Sequence, residues 1–88
     1  MQGPTTGSWT EEMDALLEAR LAEASKLDDV ARYFRFGHLP EGALRDTSRL
    51  FAYLASEVVV RLPRCPQRTH ALNHLLLAKD AAVRAALP

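Results

Sequence analysis

What this chain lacks narrows the field first. Cysteine occurs once, at Cys65, which rules out an intramolecular disulfide and a cysteine cluster for a metal. No run approaches the roughly 18 apolar residues that a membrane-spanning helix needs, and no secretory leader is recognisable, so a soluble, cytoplasmic protein with no membrane partner is expected. Glycine-rich phosphate loops are missing, and Ser48, Ser56 and Cys65 have no Gly-flanked elbow that would activate a nucleophile. Neither an enzyme nor a cofactor is expected. Repeats, heptads and low-complexity segments are also missing. Net charge is zero, eleven Lys and Arg against eleven Asp and Glu, whereas a general nucleic-acid surface would leave the chain positive.

That balance hides an asymmetry. Up to Ala31 the acids Glu11, Glu12, Asp14, Glu18, Glu23, Asp28 and Asp29 face only Arg20 and Lys26; from Arg32 onward nine bases face four acids. Such a division fits an acidic helix laid on a basic body, or a local basic pocket for an anion. With 88 residues the chain is one domain or part of one, and a domain this small buries only about 60–65% of its unfolded surface, which favours self-association.

What is present reads almost entirely as helix, divided by one aromatic corner. Residues 1–7 are rich in Gly, Pro and Thr and are expected to be disordered; residues 8–88 form a single helical domain. Ser8-Trp9-Thr10-Glu11 matches a capping box and opens an amphipathic helix over about 9–27. Trp9, Met13, Leu16, Leu17, Leu21, Ala24 and Leu27 recur at helical spacing, with Glu11, Glu12, Asp14, Glu18 and Glu23 opposite. Asp28 or Asp29 caps a further turn or two, or the helix runs on.

The corner, residues 33–40, holds Tyr33, Phe34 and Phe36, three of the six aromatics. Gly37 is suited to a left-handed conformation, and Pro40 turns Leu39 away from helix and fits a first helical turn. A helix over about 41–62, some 33 Å long at about 1.5 Å per residue, places Leu44, Thr47, Phe51, Leu54, Ala55, Val58 and Leu62 on one face. Leu50, Tyr53, Val59 and Val60 make it apolar over more than one face. After the Pro63–Pro66 turn, a last helix over about 67–87 carries Leu72, Leu75, Leu76, Ala82, Val83 and Ala86 beside an alanine ridge. The expected fold class is all-α: a short N-terminal amphipathic helix plus a long antiparallel αα-hairpin over 41–87, oligomerising through its spare apolar faces.

Among residues able to carry chemistry, His70 and His74 share a helix face, but no third ligand accompanies them and no metal site is expected. Arg45 and Arg49, four apart, lie near Phe36. Arginine forks grip phosphate and an aromatic ring offers a purine a platform, so the three read as a nucleotide pocket; a solvated face paired with Glu41 or Asp46 is the alternative. Lys79 falls within an apolar stripe, where it either snorkels to water or enters a shared cavity to hold an anion. Arg68 and Arg84 lie at opposite ends of the last helix, where either could reach a neighbouring chain.

Phe36-Gly37-His38-Leu39-Pro40, then Leu54-Ala55-Ser56-Glu57-Val58 on a helix, a Pro-containing turn, and Thr69-His70-Ala71-Leu72 opening an Ala-rich, Arg-bearing helix together resemble the small helical-hairpin anti-CBASS proteins of phages. These are cyclic-oligonucleotide sponges related to the hairpin domain of anti-Thoeris sponges, and the resemblance covers roughly Arg32 to Leu87. It implies a homo-oligomer, typically a hexamer, that sequesters cyclic di- and trinucleotide immune signals in the host bacterial cytoplasm without cleaving them. It further implies that Phe36 stacks on a base, His38 and Pro40 shape the pocket, Arg45 and Arg49 contact phosphate, and Arg84 contacts phosphate in a second, multi-chain pocket. This chain departs from the family at Ala78-Lys79-Asp80-Ala81-Ala82-Val83-Arg84, where members often carry an aromatic-and-Asn segment, and in its long acidic first helix. The alternative is a small helical protein–protein interaction module without a nucleotide ligand. A DNA-binding helical dimer is disfavoured by neutrality and by the lack of a basic recognition helix.

Overall fold

A computed structural model describes residues 9–87. The expected disorder of residues 1–7 and the expected Ser8 cap lie outside the described residues. All regular structure among the described residues is helical: α1 (Glu11–Leu27), a 3-10 helix (Asp29–Phe34), α2 (Ala43–Arg61) and α3 (Pro66–Ala85). None of these helices is long and apolar enough to cross a membrane.

Local chemistry explains the boundaries. The cap seen on α1 is Thr10, whose hydroxyl accepts the Met13 N–H at 3.1 Å, and Glu11, Glu12 and Asp14 place negative charge at the positive end of the helix dipole. At the other end Asp28 adopts extended geometry while its N–H still donates to the Ala24 carbonyl at 2.8 Å. One short 3-10 helix then follows, with the Ala31 N–H donating to the Asp28 carbonyl. Pro66 opens α3 at a position where a missing N–H costs nothing.

The corner differs from expectation in where it bends. Among the described residues the positive φ belongs to Gly42, at 128°, and not to Gly37. Gly42 is the N-cap of α2, and Pro40, expected inside the first turn, precedes that cap. At Gly37 the chain is held by Glu18, whose carboxylate accepts the Phe36 and Gly37 N–H groups, each at 3.0 Å.

The core gathers Leu17, Leu21 and Ala24 of α1, Ala31 and Phe34 of the 3-10 helix, Phe36 of the corner, Ala52, Ala55 and Val59 of α2, and Leu72 of α3. Helix α2 is central, packing on both α1 and α3, while the 3-10 helix contacts all three α-helices. Each large apolar side chain buried here contributes about 1.5–3 kcal/mol.

Two faces are rotated from the periodicity reading. On α1 the buried positions are Asp14, Leu17, Leu21 and Ala24, whereas Met13, Leu16 and Leu27 are exposed. On α2 they are Ser48, Arg49, Ala52, Ala55, Ser56 and Val59, so small side chains face inward. Leu50, Tyr53 and Leu54 remain about half exposed, at 51, 47 and 48%.

Candidate functional site

The structure divides the candidate residues between two environments. The first is an ion-pair network where α1 meets α2. Arg49 is buried, and its guanidinium forks onto Asp14, with Nε to Oδ1 and Nη2 to Oδ2 both at 2.7 Å. Asp46 accepts from Nη1, and Glu41 lies 3.5 Å from Nη2. The guanidinium carbon stands 5.9 Å from the Trp9 and from the Phe36 ring centroids, within cation–π range of both. Hydrogen bonding to Asp14 raises the Arg49 pKa further above its ordinary value, against the effect of burial and with help from the charges of Asp14, Glu41 and Asp46. Arg49 is therefore a permanent cation already held by carboxylates.

Phe36 is 0% exposed. No base can stack on it without displacing Arg45 or Arg49, whose guanidinium carbons lie 5.8 and 5.9 Å from its ring centroid. Arg45 donates to the Leu39 carbonyl at 3.3 Å and lies 3.5 Å from Asp14. It lines a surface hollow of about 330 Å³ with Glu11, Asp14, Glu18 and Glu41, four carboxylates that repel a phosphate. The expected pocket of Phe36, Arg45 and Arg49 is thus an internal support, as the division of charge along the chain allowed.

Arg68, expected to reach outward, is also buried. It donates to the Val59 carbonyl at 3.3 Å, the Leu62 carbonyl at 3.1 Å and the Leu27 carbonyl at 3.3 Å, tying the ends of α1 and α2 together. These are carbonyls that a helix end leaves without intrahelical partners.

The second environment is a cleft of about 300 Å³ between the corner, α2 and the end of α3, lined by Arg35, His38, Leu39, Ser48, Lys79, Asp80, Val83 and Arg84. His38 and Arg84 are both exposed here, whereas Pro40 is not part of the lining. Two further cations join them. Lys79, expected either to snorkel or to enter a shared cavity, lines this cleft, and its Nζ donates to the Tyr33 carbonyl at 3.0 Å. Arg35 is fixed by its Nε hydrogen bond to Glu18 Oε2 at 2.8 Å, leaving its other guanidinium donors toward solvent.

Glu18 therefore organises this wall of the cleft. Burial pushes its carboxyl pKa up, but the Phe36 and Gly37 amides and the Arg35 guanidinium together hold it below the ordinary glutamate value. Arg35 was missed as a site residue because the corner has no helical periodicity from which to predict direction. Alternation was the available signal, since Phe34 and Phe36 are buried and Tyr33 and Arg35 exposed.

Arg35, Lys79 and Arg84, with an imidazole and a buried serine, line this cleft; Arg35 is paired with Glu18 and Lys79 stands 3.6 Å from Asp80, and the set suits an anion that also offers hydrogen-bond donors. Among the described residues no three His, Cys, Asp or Glu side chains converge in a metal-binding group. No family model, curated protein or solved structure matches this chain.

Proposed function

We propose that this protein is a non-enzymatic sponge, a homo-oligomer of helical subunits that binds a cyclic di- or trinucleotide immune signal and withholds it from bacterial anti-phage defence. The observation that carries the reading is the convergence of His38 and Arg84, with Arg35 and Lys79, on one cleft. Sequestration needs only charge, donors and a fitting surface, and the cleft supplies these without an activated nucleophile. At about 300 Å³ it is at the small end of ligand pockets, so each cleft takes one nucleotide unit and the rest of the ring reaches a neighbouring chain. In this reading α2 and α3 form an antiparallel hairpin, and six subunits assemble, as the resemblance to anti-CBASS sponges implies.

The test is to incubate the protein with a panel of cyclic di- and trinucleotides, filter it, and chromatograph both the filtrate and what heating releases. One compound should vanish from the filtrate and return intact, and Arg84→Glu should abolish its uptake. Return of a linearised product would overturn the sponge reading in favour of catalysis, and passage of every compound would overturn nucleotide binding.

A second reading, a protein–protein interaction module, is favoured by the inverted sidedness of α2. A helix that buries Ala52, Ala55, Ser48 and Ser56 while exposing Leu50, Tyr53 and Leu54 presents the apolar face expected of an interface. It predicts capture of a partner protein and indifference to nucleotides.

A further inference from the structure

We propose that Asp80 reads the nucleobase of the bound ligand and selects guanine, an inference that rests on the cleft being the nucleotide site. Phosphate alone gives no use for a carboxylate there. A negative charge beside Lys79, in the cleft that Arg35 and Arg84 also line, weakens the hold on an anion unless the ligand brings donors to it. Asp80 lines the same cleft, with its side chain 47% exposed and its carboxylate 3.6 Å from the Lys79 ammonium. That separation is beyond a normal hydrogen bond, and Lys79 donates instead to the Tyr33 carbonyl at 3.0 Å. The carboxylate is therefore paired with a cation, lines the cleft, and accepts no hydrogen bond among the described residues, so it has acceptor capacity to spare.

An ionised carboxylate only accepts hydrogen bonds, and its two oxygens suit two parallel donors. Guanine alone among the common bases presents two adjacent donors on its Watson–Crick edge, the N1–H and the 2-amino group. Adenine and cytosine each place a single amino donor beside a ring-nitrogen acceptor, which a carboxylate repels. Uracil and thymine flank one N–H with two carbonyls. The cleft volume of about 300 Å³ accommodates one base with its phosphate, leaving Arg84 and Lys79 for the phosphate oxygens while Asp80 faces the base edge.

The experiment is calorimetric titration of the full chain, wild type and Asp80→Asn, with cyclic di-GMP and with cyclic di-AMP. The Asp80 side chain is 47% exposed and makes one ion pair at 3.6 Å, so the isosteric change should leave the melting curve in place. Wild type should bind cyclic di-GMP at least about tenfold more tightly than cyclic di-AMP, the discrimination expected of a bidentate base contact. Asp80→Asn should erase most of that preference and leave cyclic di-AMP binding equal or tighter, because an amide can pair with adenine and the repulsive charge is gone. Equal wild-type affinities, or a variant that weakens both ligands alike, would overturn the role of Asp80 and leave the sponge reading standing. Binding of neither compound, together with passage of the wider panel, would remove the sponge reading and this inference with it.

Discussion

Replacing Asp14 separates the structural reading of Arg49 from the ligand-binding one. Asp14→Ala removes both 2.7 Å hydrogen bonds from the Arg49 guanidinium and leaves a cation with a side chain only 4% exposed. Breaking a buried ion pair from one side costs about 3–5 kcal/mol. Asp46 and Glu41 still face Arg49, which places the expected loss near the lower limit, about 3 kcal/mol. For a domain of this size each kcal/mol lowers the Tm by about 4–8 °C, so a fall of about 12–24 °C is expected by circular dichroism, with a matching drop in the urea midpoint. The double variant Asp14→Leu, Arg49→Met should be more stable than Asp14→Ala, because no unpaired charge remains buried. Were Asp14→Ala to cost less than about 1 kcal/mol, the range of an exposed pair, the network would be a surface feature and Arg49 would again be available to a ligand.

Four other outcomes follow from named contacts. Phe36→Ala empties a fully buried ring position and should cost about 3–5 kcal/mol in urea unfolding; a stability unchanged within error would contradict its core placement. Arg68→Met strips three helix-end carbonyls of their donor and should lower stability by about 2–4 kcal/mol, with amide exchange speeding up around residues 59–62. Glu18 has a folded pKa below its unfolded one, so it contributes stability at pH above about 4.3 that is lost as pH falls through the folded value. Glu18→Gln should flatten the decline of Tm between about pH 5 and 3, and parallel curves for the two proteins would contradict that role. Under the proposed homo-oligomer, Leu50→Glu with Leu54→Glu, on the exposed face of α2, should reduce the mass measured by light scattering to that of a single chain while the helical signal stays. An unchanged assembly would place any interface elsewhere.

Helix position was legible in the chain because its determinants are local. An acidic first turn, the breakers at 37–42 and the prolines at 63 and 66 act within a few residues of themselves, and the helices α1, α2 and α3 fall within a few residues of the expected spans. The break in helix at the aromatic corner was legible for the same reason. The side on which each helix is buried was not. Helix α2 carries leucine, valine and aromatic residues around most of its circumference, so periodicity within it has no single answer. The choice fell to its small positions, because Ala52, Ala55, Ser48 and Ser56 let α1 and α3 each pack closely on α2, where larger side chains would hold them off. With that face inward, Arg49 pairs with Asp14 beside the buried Phe36 ring, while His38 of the corner and Arg84 of α3 line one cleft. The division of acids from bases was present in the sequence, but only packing decided that Asp14 and Glu18 would neutralise Arg49 and Arg35. A charge pairs with what the fold brings near it, and that distance is a property of tertiary structure.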